Sequence, residues 1–130
     1  MENLSKQYAY VQLLIIDLEK AIDSFEHHEE NLAQQKMLVD IFSKTFQAFC
    51  DLIAAYLSQH HKGFHAGTSI QEIIHEAHVA GFLADHDTKT FLKTAAEADA
   101  PLREHEENPL IHNLEGYLVA MRSLMSEIKP

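Results

Sequence analysis

The sequence is poor in the residues that break a chain or cross-link it. Its 130 residues include four glycines, three prolines and one cysteine, Cys50. A single cysteine excludes a disulfide within the chain, and a lone cysteine between apolar helical positions is typical of a core residue. The scarcity of glycine and proline, with no alternation of β-branched residues, favours helices over strands.

Long apolar runs are also missing. No uninterrupted run approaches the roughly 20 apolar residues that a membrane-spanning helix needs. The opening MENLSKQY has no basic and then apolar layout of the kind that marks a signal peptide. We therefore expect a cytoplasmic protein with no membrane segment. Hydrophobic residues make up 46% of the chain, which suits one compact domain over residues 1–130.

Positive charge is scarce as well. Ten Lys and Arg residues stand against twenty Asp and Glu residues, which gives a formal charge of −10. A field of that sign repels phosphate backbones, so we expect no extended nucleic-acid surface. The same charge suits a basic protein partner.

Apolar periodicity predicts two long helices in the first half of the chain. One runs from about Asn3 to His28, and the second runs to about Gln59 after the polar EHHEEN. Both repeat apolar residues at steps of three and four, as the stripe of a buried helix face does. The predicted stripes are Val11, Leu14, Ile15, Leu18, Ile22 and Phe25, and then Leu38, Ile41, Phe42, Phe46, Phe49, Ile53 and Leu57.

The second half predicts two short helices and a third long one. Ser69 and Glu72 have the spacing of a capping box, and Gly81 should end the helix that they open. Asp85 or Asp87 should cap the next helix. Asn108 should cap the last, with proline at its first position. The predicted inward positions are Ile70, Ile73, Ile74 and Ala77, then Phe91, Leu92, Ala95 and Ala96, and finally Leu110, Ile111, Leu114, Leu118, Met121, Met125 and Ile128. The fold class is therefore an all-α, up-and-down bundle of four or five helices.

Some apolar residues fall outside these stripes. A bundle of this size cannot turn all of them inward, and exposed apolar patches mark association surfaces. We therefore expect a homodimer with a largely apolar interface. The residues concerned are Leu13, Ile16, Val39, Val119 and Leu124.

Histidines and glutamates at helical spacing raise the question of a metal site. A di-iron bundle needs two Glu-x-x-His pairs and two further carboxylates. The sequence has one such pair, Glu72 and His75, and Glu72 already belongs to the capping box. Five histidines could bind zinc or nickel adventitiously, namely His60, His61, His65, His75 and His78. No set of three or four ligands converges at helical spacing, so we expect no tightly bound metal and no cofactor.

One polar segment, EADAPLREHEENPLIH, concentrates mixed charge beside the start of the last helix. Free backbone N–H groups and the positive end of the helix dipole face the same space there. Arg103 offers a planar fork for phosphate or carboxylate, and the carboxylates can accept from a hydroxyl or amine. The candidate substrate-binding residues are Glu97, Asp99, Arg103, His105 and His112. A charged, solvated connection between helices is the alternative interpretation.

The stretch TSIQEIIHEAHVAGFLADHDTKTFL resembles the central signature of the nucleotidyltransferase substrate-binding proteins, within the helical-bundle HEPN domains. The matching residues are Ser69, Glu72, Ala77, Ala80, Gly81, Phe82, Leu83, Asp85, Phe91 and Leu92. The preceding IFSKTFQAFCDLIAAYL is similar to the long second helix of that family. The resemblance implies a helical bundle that serves a separate minimal nucleotidyltransferase and helps to bind its acceptor substrate.

The sequence departs from the ribonuclease members of the wider HEPN group. Those members carry an Arg, a polar residue and a His just after the aromatic-Leu helix. Ala98 and Asp99 stand where Arg and Asn would be expected, and His105 and His112 are out of register. We therefore expect an accessory subunit that lacks catalysis of its own. Two alternatives stay open: a histidine-rich metal-binding four-helix bundle, and a ribonuclease toxin with a degenerate active site.

Overall fold

The computed structural model describes residues 2–25, 32–60, 69–102 and 108–128. Within these ranges the chain forms five α-helices and no strand, which confirms the all-α bundle. The helices are α1 (Glu2–Phe25), α2 (Leu32–His60), α3 (Ile70–Val79), α4 (Asp85–Asp99) and α5 (Pro109–Glu127). None of these described helices combines the length and apolarity that crossing a membrane requires.

Contacts at the two ends of α5 define the helix directions. The Tyr8 hydroxyl near the start of α1 donates to the Met125 carbonyl near the end of α5 at 3.0 Å. The Asn108 amide at the start of α5 donates to Gln35 near the start of α2 at 2.6 Å. Helix α5 therefore runs antiparallel to α1 and in the direction of α2. Helices α1 and α2 pack against each other, and α3 and α4 complete the bundle over α2 and α5.

Aromatic rings on α2 occupy the centre of the core. Phe42 and Phe46 stack with ring centroids 5.9 Å apart, and Phe46 and Phe49 stack at 6.3 Å. Phe91 of α4 packs on the Phe49 ring at 5.5 Å, while Tyr117 of α5 packs on Phe42 at 6.5 Å. One aromatic cluster therefore joins α2 to both α4 and α5. Such pairs contribute on the order of 1 kcal/mol each beyond simple burial.

Helix α3 begins and ends as predicted. The Glu72 backbone N–H donates to the Ser69 side chain at 3.1 Å, so Ser69 is the N-cap. At the other end Gly81 has a φ of 81°. The Phe82 N–H donates to the Ala77 carbonyl and the Gly81 N–H to the His78 carbonyl, each at 3.0 Å. This pair of bonds is a Schellman motif, which places a residue of left-handed conformation just after the helix.

The start of α4 differs from the prediction. Its N-cap is Ala84, with no side-chain cap, and Asp85 and Asp87 lie in the first turn. The Asp85 carboxylate contacts His78 Nε2 at 2.8 Å, so it joins α4 to the end of α3 instead of capping. Carboxylates in the first turn still interact favourably with the helix dipole.

Several predicted faces also need correction. On α4, Leu92 and Ala96 are exposed, while Thr88 and Thr94 are buried. Each of these threonines satisfies its hydroxyl by donating to the carbonyl four residues earlier, so it can be buried without an unpaired polar group. Leu14, Ile41, Ile70 and Ile111 are half-buried, and the other predicted core residues whose side chains the structure describes are buried.

Three of the five apolar residues outside the predicted stripes are exposed, so the bundle does not turn all of them inward, as predicted. Leu13, Ile16 and Val119 are exposed by 61%, 46% and 62%. Leu124 is buried because the helix turns it toward the core together with Met121 and Met125. Val39 is half-buried and packs against the core.

Two glycines provide a matched stability test. Gly81→Ala should lower the free energy of unfolding by about 1 kcal/mol, because an L-residue is strained at positive φ. Gly116→Ala should raise it by about 0.5–1 kcal/mol, because alanine favours the helix interior. An added Cβ meets no atom within 4 Å at either position, so contacts do not account for the difference. Urea denaturation measures both values. Two changes of the same sign would contradict the assigned conformations.

Candidate functional site

A largely buried carboxylate between α4 and α5 is the centre of the candidate site. Glu97 Oε1 accepts from the Tyr117 hydroxyl at 2.5 Å and from the Asn113 amide at 3.2 Å. Lys93 Nζ lies 4.0 Å from Glu97 Oε2 on the same helix face. The Glu97 side chain is 14% exposed and that of Lys93 is 61% exposed. Two neutral donors therefore orient this carboxylate, and the exposed Lys93 adds a weak ion pair.

The three partners of Glu97 also line a cleft of about 460 Å³ between α4 and α5. This volume is in the range of sites for small molecules. The wall carries titratable groups of both signs, namely His86, Asp87, Lys93 and Glu127. The cleft wall has two carboxylates, one lysine and one histidine, and Glu97 contacts three residues of this wall without lining it. The local charge therefore favours a ligand with positive character.

The two oxygens of the Glu97 carboxylate are occupied unequally. A carboxylate offers about four lone-pair positions. The short contacts from Tyr117 and Asn113 converge on Oε1, whereas Oε2 has only the longer contacts of 3.5 Å from Asn113 and 4.0 Å from Lys93. Oε2 is therefore the less occupied oxygen of this carboxylate, and Glu97 contacts the cleft through its partners without lining it itself.

The structure separates the predicted site residues that it describes. Glu97 contacts α5 at the α4–α5 cleft. Asp99, two residues further along, is exposed and lines a different groove with residues of α2 and α3. His112 lies exposed in the first turn of α5. Two residues span about 200° of an α-helix, so Glu97 and Asp99 cannot share a face. Arg103 and His105 lie outside the described residues.

The start of α5 also differs in detail from the sequence interpretation. Asn108 is the N-cap and Pro109 follows it, as predicted. The Asn108 side chain makes no capping hydrogen bond to the helix and instead donates to Gln35 of α2. Asn108 is buried, and this contact fixes the beginning of α5 on the bundle.

The histidines do not form a metal site in the described part of the chain. No group of three or more His, Cys, Asp or Glu side chains is placed to hold an ion there. His60 stacks on the Tyr56 ring at 4.3 Å, His75 is exposed, and His78 pairs with Asp85. His61 and His65 lie outside the described residues.

Sequence reasoning identified Glu97 but missed Lys93, Asn113 and Tyr117. The spacing of these residues in the sequence indicates which of them share a helix face. Lys93 and Glu97 are four residues apart on α4, and Asn113 and Tyr117 are four apart on α5, so each pair lies on one helix face. A tyrosine on the apolar stripe of α5 also needs a partner for its hydroxyl, which directs attention to the nearest carboxylate.

Two buried groups have strongly shifted acidity. Burial raises the pKa of the Cys50 thiol above its usual value of 9.0, and the charge of Asp51 adds to the effect. Burial also raises the pKa of the Tyr117 hydroxyl, and the hydrogen bond and charge of Glu97 raise it further. Cys50 therefore stays a neutral thiol at neutral pH and cannot act as a thiolate nucleophile. Tyr117 stays a hydrogen-bond donor to Glu97.

Comparison of the chain with protein-family models, curated proteins and solved structures finds no match.

The raised pKa of Cys50 predicts a loss of stability in alkaline solution. Above pH 9 the unfolded chain releases the thiol proton and the folded chain keeps it, so the free energy of unfolding falls as pH rises. Between pH 8 and pH 10 the wild type should lose about 1.4 kcal/mol more than Cys50→Ala. Denaturation curves at each pH measure this difference. Parallel pH dependences would show that the thiol is accessible to water in the folded state.

Proposed function

We propose that this chain is a non-catalytic substrate-binding subunit that holds an amine-bearing or hydroxyl-bearing acceptor in the α4–α5 cleft. The observation that carries the proposal is the Glu97 carboxylate, oriented by Tyr117 and Asn113 beside a cleft of mixed charge. A carboxylate fixed before binding loses little conformational freedom when a ligand donor arrives. The two negative groups on the cleft wall, Asp87 and Glu127, favour an amine over an anion.

The proposal includes a separate enzyme as partner, a minimal nucleotidyltransferase. The support for this partner is the resemblance of the segment around Gly81 to the substrate-binding proteins of that system. The bundle would present the acceptor, and the partner would supply the catalytic metal and the nucleotide. Cys50, the strongest nucleophile type in the chain, is buried and protonated, which supports a binding role for this chain.

Ligand binding can be tested with spermidine, a small molecule with several amines. At about 0.15 M salt, spermidine should raise the melting temperature of the wild type, and calorimetry should give a dissociation constant. Glu97→Gln removes the charge and should weaken binding at least about tenfold, since a charge-assisted hydrogen bond is lost.

Asp99→Asn is the matched control for this test. It makes the same charge change on the same helix, but Asp99 lines the other groove. The Asp99→Asn variant should bind spermidine like the wild type. Equal weakening by both variants would show a general effect of negative charge, and unchanged binding in Glu97→Gln would place the ligand elsewhere.

The partner and the lack of catalysis need separate measurements. Cross-linking in the source cells followed by mass spectrometry should recover a small protein that carries the Gly-Ser and spaced aspartates of a nucleotidyltransferase. RNA cleavage by the isolated chain would contradict the accessory role and favour the ribonuclease alternative.

A further inference from the structure

The outward face of α1 carries three of the seven large hydrophobic residues that are exposed in the described part of the chain. Tyr10, Leu13 and Ile16 are exposed by 48%, 61% and 46%. They lie opposite the buried stripe that contains Val11 and Ile15, so the packing of α1 on α2 cannot cover them. Exposed apolar patches of this kind mark association surfaces.

This face follows the spacing of a coiled-coil seam. Six residues of this face, which do not include Tyr10, are separated alternately by three and four positions, which matches the a and d positions of a heptad. We name these six residues the α1 seam. They are Lys6, Ala9, Leu13, Ile16, Lys20 and Asp23, and all six are exposed.

The charges in the seam select one orientation of a second copy. In an antiparallel pair of helices, each a position faces a d position of the partner helix. Lys6 then meets Asp23, Leu13 meets Ile16, and Lys20 packs its alkyl chain over Ala9. A parallel pair would place each of these charged residues against its own copy, and like charges in contact disfavour association.

The surroundings of Asp23 support the same arrangement. Asp23 shares a groove between α1 and α5 with Glu19 and Glu115. Arg122 also lies there and pairs with Glu19. The groove therefore keeps an excess of negative charge, and a lysine from another copy complements it.

We propose that a second copy of this chain docks on the α1 seam, with the two α1 helices antiparallel. Leu13 and Ile16 form the apolar centre, and two Lys6–Asp23 pairs close its ends. None of the seam residues lines the α4–α5 cleft, so this inference stands independently of the proposed function.

Charge reversal tests both the partner and its orientation. Lys6→Glu should place a second carboxylate against Asp23 and weaken the homodimer at least about tenfold. Asp23→Lys should place two lysines together and weaken it similarly. A one-to-one mixture of the two variants has opposite charges in both end layers, so it should dimerise within about threefold of wild type. Sedimentation velocity at about 50 μM protein measures these associations.

Each contrary result of this experiment excludes a different part of the proposal. A monomeric wild type at that concentration would overturn the proposal. A dimer that both reversals leave unchanged would show an interface elsewhere, and a mixture that stays monomeric would exclude the antiparallel pairing. Leu13→Ser with Ile16→Ser should also give a monomer. Val79→Ser, at a similarly exposed apolar residue of α3, should leave the dimer intact.

Discussion

The packing of aromatic rings along α2 is the constraint on which the rest of the structure depends. Phe42, Phe46 and Phe49 occupy successive turns of one helix, and they are fully buried. Phe91 and Tyr117 pack against this column from α4 and α5. Because close-packed rings tolerate little displacement, the column sets the positions of both helices that border the cleft.

Tyr117 connects this core to the candidate site. Its ring lies in the aromatic cluster, and its hydroxyl reaches the Glu97 carboxylate on α4. The hydroxyl would be costly to bury alone, and Glu97 would be costly to half-bury alone. Each group is therefore the hydrogen-bond partner of the other, Asn113 is a second donor to Glu97, and Lys93 adds a positive charge 4.0 Å away. The Glu97 carboxylate is therefore attached to a rigidly packed apolar core. Such support is what keeps a binding group in one orientation before a ligand arrives.

The helices and most of the core follow from the sequence, since steps of three and four apolar residues determine which face of a helix is buried. The cap of α3 and its Gly81 termination were also predictable, because Ser69 and Gly81 act through bonds to near neighbours. The role of Asp85 was not predictable, because its contact with His78 depends on how α3 and α4 pack against each other. Leu92 shows the same limit, since its exposure depends on the rotation of α4 against α2.

The candidate site was predictable only in part for a similar reason. Glu97 was identified from the density of charge around it. Asp99 was grouped with it through closeness in sequence, although two residues along a helix point to different sides. The residues that orient Glu97 come from another helix, and only the packing of α4 on α5 brings Asn113 and Tyr117 to it.

A double-mutant cycle between Tyr117 and Glu97 tests most directly whether the core holds the carboxylate. Tyr117→Phe, Glu97→Ala and the double variant are compared with the wild type by urea denaturation. We expect a coupling free energy of about 1.5 kcal/mol, because a buried hydroxyl donates to a charged group. The same cycle with Tyr10→Phe, at an exposed tyrosine of α1, should give a coupling near zero. A coupling for Tyr117 that is no larger than this control would contradict the account.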